Sequence, residues 1–114
     1  MKRDYKFFIE DIVDSIRQIE CFVGDMTYEE FLADDKTVSA ILRRLDVIGE
    51  ASKHIPTSFK QKHQDLPWAE MARMRDKLIH GYFGVDYEIV WKVVKERLPE
   101  IKPPLEIILN PMKR

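Results

Sequence analysis

The chain has 114 residues and a mass of 13.6 kDa, enough for one domain with one core and too little for a separate cofactor domain. Apolar residues at 45%, charged residues at 34% and only four glycines describe a globular, helix-rich chain and exclude disordered or collagen-like compositions. The net charge of −1 hides a polarity. Residues 1–35 carry ten acids against four bases, and the remainder carries fifteen bases against ten acids. An acidic and a basic surface on one small body are expected, the basic one able to face a phosphate backbone, although two solvated helix faces are the plainer account. No stretch approaches the ~20 apolar residues of a bilayer span. The start, Met1-Lys2-Arg3-Asp4, runs into a charged amphipathic pattern rather than a signal-peptide core, so a cytoplasmic protein with no membrane association is expected. The single cysteine, Cys21, offers neither an intramolecular disulfide nor a zinc site of the usual spacing.

Apolar residues first recur at helical spacing in Tyr5, Phe8, Ile9, Ile12, Val13, Ile16, Ile19, Phe22 and Val23, which predicts a long amphipathic helix over roughly residues 4–23. Gly24-Asp25-Met26 ends it, and Thr27 with Glu30 forms a capping-box pattern that opens a short corner helix through Tyr28, Phe31 and Leu32. Val38, Ile41, Leu42, Leu45, Ile48 and Ile55 mark a second long helix, stopped by Pro56, in which Gly49, Ala51 and Ser52 leave room for a close neighbour. Residues 56–67, with two prolines and the Lys60, Lys62, His63 cluster, read as a connector with room for a helical turn. Pro67 then stands at the first position of a third helix with an inward row of Trp68, Met71, Ala72, Leu78 and Ile79. Arg75 completes that row, and Gly81 is its expected C-cap. Asp86 caps a fourth helix with the stripe Tyr87, Val90, Trp91, Val94 and Leu98. Pro99, Pro103 and Pro104 interrupt the backbone, yet the register runs on through Ile101, Leu105 and Ile108, so a kinked or restarted helix is expected along the same bundle. No strand pattern competes. The fold class is therefore all-α: an antiparallel up-and-down bundle of four main helices, with a short corner helix and a proline-kinked C-terminal helix, in a single domain spanning residues 1–114.

Glycine-rich phosphate loops, Cys-x-x-Cys pairs, His-Glu-x-x-His and G-x-S-x-G elbows are absent from the sequence. The run Arg75-Asp76-Lys77-Leu78-Ile79-His80-Gly81-Tyr82 does carry chemistry, placing a permanent cation, a carboxylate, an imidazole and a phenol close together in sequence. On an ideal helix Asp76 and His80 lie one turn apart, where the carboxylate would orient the ring. Arg75 is rotated by about 140° from His80 on the same geometry, so one copy does not set the two side by side, though arginine is long and a partner subunit could supply the second cluster. A neutral imidazole can take the proton from a ribose 2′-hydroxyl and a guanidinium can hold the phosphate as charge builds, so these residues suit metal-free cleavage of RNA, with no cofactor. Structural roles remain open: His80 as a helix C-cap and Arg75 paired with a buried carboxylate. Trp68 and Trp91 read as core. His54 and His63 read as surface residues, and Lys53, Lys60, Lys62, Arg73 and Lys77 are either RNA contacts or simply solvated.

The Arg75-x4-His80-x-Tyr82 pattern, set within Trp68…His80-Gly81-Tyr82-Phe83-Gly84-Val85-Asp86…Trp91, resembles the HEPN superfamily and within it the HepT-like toxins. Met1-Lys2-Arg3-Asp4-Tyr5, Thr27-Tyr28-Glu29-Glu30-Phe31-Leu32, Ile48-Gly49-Glu50-Ala51 and Leu98-Pro99 extend the resemblance over nearly the whole chain. It implies a helical bundle that forms a homodimer, with two R-x4-H clusters meeting in a cleft to make a metal-independent endoribonuclease. Arg75 and His80 would be catalytic and Asp76 supporting, with Arg73 and Lys77 candidate RNA contacts by their charge alone. It further implies a toxin–antitoxin module whose partner, an MNT-type nucleotidyltransferase antitoxin, transfers AMP to Tyr82. The position of Asp76 is commonly Asn in this group, and the added negative charge beside a phosphate would lower activity. The second function class is a non-catalytic HEPN module that docks a nucleotidyltransferase or binds a nucleotide. Retention of Arg75, His80 and Tyr82 together favours the nuclease.

Overall fold

The computed structural model describes residues 4–76, 78 and 84–112. Their ordered elements are helical: α1 (Tyr5–Val23), α2 (Tyr28–Leu32), α3 (Asp35–Lys53), α4 (Thr57–Lys62), α5 (Trp68–Ala72), α6 (Tyr87–Lys92), a π-helical segment (Val93–Arg97) and α7 (Leu98–Met112). Local chemistry sets most of the boundaries. Asp4 accepts from the Lys6 backbone N–H to start α1, and Gly24, at a φ of 49° that side chains rarely adopt, returns its N–H to the Glu20 carbonyl to end it. The capping box of α2 closes reciprocally, with Glu30 N–H to Thr27 Oγ1 at 3.1 Å and Thr27 N–H to Glu30 Oε1 at 2.9 Å. Asp34, a cap that the apolar pattern does not signal, accepts from the Thr37 backbone and hydroxyl to start α3.

The bundle is antiparallel because its cross-helix pairs run in opposite order. Phe8 near the start of α1 stacks on His54 just past the end of α3, with ring centroids 4.8 Å apart. Arg17 and Glu20 of α1 meet Glu106 and Lys102 of α7 at 2.7 Å each. Between these helices Ile9, Ile12, Ile16, Ile19, Ile41, Leu45, Ile48 and Leu105 are fully buried, and removing those side chains from water drives the packing. Phe31 of α2 plugs one end, ringed by Tyr28, Tyr87 and Trp91.

Two expectations change. Of the two expected outcomes, a kinked or a restarted helix, the restart does not occur: α6, the π segment and α7 run consecutively, with Pro103, Pro104 and Pro111 inside α7. The Leu98 N–H donates to the Val93 carbonyl, five residues back. This wider turn lies immediately before Pro99, whose ring would crowd the Lys95 carbonyl in a regular α-helix. Ile101, Leu105 and Leu109, rather than Ile108, carry the buried register onward. The third predicted helix is also shorter than its pattern. Pro67 precedes it as the capping residue, α5 spans five residues, and residues 73–76 and 78 are turns. The proposed cap Gly81 lies outside the described residues.

Candidate functional site

Beyond Ala72 the chain tightens from α-helical to three-residue closures, with Met74 N–H to Met71 O, Asp76 N–H to Arg73 O and Leu78 N–H to Arg75 O at 3.0–3.1 Å. A three-residue turn advances 120° per residue instead of 100°. Four steps from Met71 therefore place Arg75 about 120° off the inward face, whereas an α-helix would leave it only about 40° off. Met71 and Met74, three positions apart, are accordingly buried, and Arg75 is not on the inward row: its side chain is 51% exposed. Its Nε lies 3.0 Å from Asp46 Oδ1 of α3, an ion pair with a carboxylate that is itself 36% exposed.

The close approach that makes this pair possible rests on Gly49. A Cβ there would stand 3.2 Å from the Ala72 carbonyl oxygen, so glycine lets the end of α5 lie directly on α3. On the far side α5 is anchored by Arg97, whose Nε and Nη2 bond Glu70 Oε1 and Oε2 at 2.8 and 2.5 Å, with Nη1 on Glu100 at 2.8 Å. The paired Glu70 carboxylate holds the Arg97 guanidinium above its ordinary pKa, and this two-pronged bond fixes the direction of α5. Asp46, Gly49, Glu50, Lys53, Ala72, Arg75 and Asp76 enclose a small polar cleft of about 90 Å³. Lys53 is held by Glu50 at 3.3 Å.

Of the predicted site residues, Arg75 and Asp76 meet in this cleft, and Arg73 lies exposed on the adjoining turn. Lys77, His80 and Tyr82 lie outside the described residues, as do Ile79, Gly81 and Phe83. Their flanks are joined, with the Asp86 N–H donating to the Leu78 carbonyl at 2.9 Å. Gly84 sits at a φ of 82° with open space where a Cβ would project, so glycine there serves backbone conformation. Trp68 is core, its indole N–H on the His63 carbonyl at 2.9 Å. Trp91 is half-buried against Tyr28 and Phe31. Asp46 is the residue that sequence reading missed. It lies on the polar side of α3, 29 positions before Arg75, and a carboxylate there looks like any solvated helix residue. Among the described residues no group of three or more His, Cys, Asp or Glu is placed to hold a metal ion, and no helix is long and apolar enough to cross a membrane.

A family model described as Ribonuclease HepT-like matches residues 12–108. The chain is 54% identical over 106 residues to a protein of Thermococcus cleftensis named "Probable ribonuclease HepT", covering 93% of this chain and 96% of that one. It is 49% identical over 108 residues to an RNase-named protein of Methanocaldococcus jannaschii, covering 94% and 89%. A further RNase-named protein, from Caldanaerobacter subterraneus, is 39% identical over 106 residues, covering 93% and 95%. No solved structure matches the chain significantly.

Proposed function

This chain belongs to the ribonuclease HepT-like family, and we propose that it is a metal-independent endoribonuclease, the toxin of a toxin–antitoxin pair, acting as a homodimer. The observation that carries the reading is the position of Arg75: half-exposed beside an open polar cleft, in a chain whose relatives bear RNase names. A guanidinium buried in a core would be structural. One presented at a cleft and held by a single exposed carboxylate is available to a phosphate, which it can meet with two parallel N–H donors.

In this reading the neutral His80 imidazole takes the proton of a ribose 2′-hydroxyl, and the oxygen attacks the adjacent phosphorus. The bond to the 5′-oxygen breaks, that oxygen leaves with a proton, and the products are a 2′,3′-cyclic phosphate and a 5′-hydroxyl end. Arg75 neutralises the charge that builds on the phosphate. Two copies would bring two Arg75/His80 sets to one cleft, with Asp76 supporting the site and Arg73 and Lys77 contacting the flanking RNA. Asp76 adds an anion to that cleft and tempers activity. An MNT-type nucleotidyltransferase would silence the toxin by transferring AMP to Tyr82, two residues from His80, where the added phosphodiester competes with RNA for Arg75.

The deciding experiment incubates purified protein with RNA in EDTA and analyses the fragment ends. Cyclic phosphate ends that vanish in His80→Ala support the reading, and activity lost in EDTA and restored by Mg²⁺ overturns it. Sedimentation as a clean monomer at micromolar concentration would remove the dimer. Intact mass after co-expression with a nucleotidyltransferase from the same genome tests the switch, since adenylate gain must disappear in Tyr82→Phe. One observation favours a silent binding module instead: Asp46 already occupies Arg75 in the isolated chain. Absence of cleavage together with RNA-independent nucleotidyltransferase binding would select that alternative.

A further inference from the structure

A second recess opens on the neighbouring face of α3. It measures about 250 Å³ and is lined by Phe8 and Asp11 of α1 and by Arg43, Glu50 and His54 on the α3 side. Three features distinguish it from an ordinary groove between helices. The His54 ring lies nearly parallel to Phe8, at 15° and 4.8 Å between centroids, and His54 is an exposed residue. One imidazole face is thus backed by a ring while the residue remains open to solvent. Arg43 is exposed and has no ion-pair partner among the described residues, unlike Arg17, Arg75 and Arg97. Glu50 lines both this recess and the cleft at Arg75, and Arg43, Asp46, Glu50 and His54 follow one another at spacings of three and four along α3. Residues so spaced are neighbours about 5–6 Å apart on one helix face, so the two openings adjoin across Glu50.

An aromatic platform beside an uncommitted guanidinium is the combination that holds single-stranded nucleic acid: bases stack on the ring and the cation takes the backbone. We infer that this recess is a nucleotide subsite, receiving the unpaired base next to the nucleotide whose phosphate lies at Arg75. The base stacks on His54, which Phe8 backs, and Arg43 meets the flanking phosphate. The assignment rests on the RNA-cleaving reading and extends it to a second contact point some residues away from the reacting groups.

The test measures binding of a short, end-labelled single-stranded oligoribonucleotide to the His80→Ala protein, in which cleavage is stopped. Adding His54→Ala is expected to weaken binding about tenfold, the range of one lost stacking contact, and His54→Trp to restore it. Arg43→Gln is expected to lower the slope of log affinity against log salt by about 0.7, the value for one single-strand phosphate contact. Placing an abasic residue at successive positions of the oligonucleotide should reveal one position at which His54→Ala has no further effect. Affinity unchanged by His54→Ala, or lost equally in His54→Trp, overturns the subsite while leaving the RNA-cleaving reading in place. Failure of the parent to bind RNA at any salt concentration overturns both. Thermal melts of each variant separate loss of binding from loss of fold.

Discussion

Arg75→Ala separates chemistry from stability, and the structure sets the size of each effect. If the inward row had held, removing Arg75 would have opened a hole in the core. Instead its partner is Asp46 at 3.0 Å, with the two side chains 51% and 36% exposed. Coulomb attraction at that distance is about 1.4 kcal/mol in bulk water. Side-chain entropy and solvent screening reduce exposed pairs to roughly 0.2–1 kcal/mol, which is a shift of a few degrees at most in the melting temperature of a domain this size. RNA cleavage should fall far more, by roughly 10²–10³-fold, as expected for removing one prepositioned charge that meets the transition state. Asp46→Asn sharpens the test. It frees Arg75 and removes an anion near the RNA, so KM should fall or hold while kcat falls because the guanidinium is no longer aimed. Differential scanning calorimetry and initial-rate kinetics on one RNA substrate read both quantities. A melting-temperature loss comparable to that of a buried truncation, or cleavage by Arg75→Ala at the parent rate, would refute the reasoning.

His80→Ala should lower cleavage by roughly 10²–10⁴-fold, the usual worth of a general base, with circular dichroism unchanged. Leu105→Ala, which removes a fully buried side chain from α7, should cost about 2–5 kcal/mol in urea unfolding; a loss under 1 kcal/mol would show that α7 does not seal the core. The Asp34 cap carries a pH signature. Hydrogen bonds from the Thr37 backbone and hydroxyl hold its carboxyl below the ordinary carboxylate value. The ionised cap therefore stabilises the fold above the unfolded pKa of about 3.9, and that contribution is lost as pH falls through the lower folded value. The melting-temperature gap between the parent and Asp34→Ala should be full at pH 7 and close in acid; a gap that is constant with pH would contradict the cap. Glu106, lowered by the hydrogen bond from Arg17, titrates in the same sense, so Arg17→Gln should lower stability at pH 7 more than at pH 3.

The sequence by itself determined the features that depend on neighbours within a few positions. The stripes Ile9–Ile12–Ile16–Ile19 and Ile41–Leu45–Ile48 each recur on one helix face, so they are buried wherever the helices dock. The Thr27/Glu30 box, the Gly24 stop and the Asp86 cap are closed by bonds spanning at most four residues. Prolines 99, 103 and 104 read as breaks because a proline costs an isolated helix a donor and a clash. Burial of Leu98, Ile101, Leu105 and Leu109 in the core, clamped to α1 by Arg17–Glu106 and Glu20–Lys102, holds the helix through them. The tertiary structure alone decided the surroundings of Arg75. Helical periodicity assigned it to the core, but contact of α5 with Gly49 and the tightening after Ala72 turned it outward, onto a carboxylate 29 residues earlier in the chain. The Phe8–His54 stack joins residues 46 positions apart in the same way. A local pattern records which face of a helix is apolar; which polar groups meet across two helices depends on how those faces dock, and that is settled only when the whole core packs.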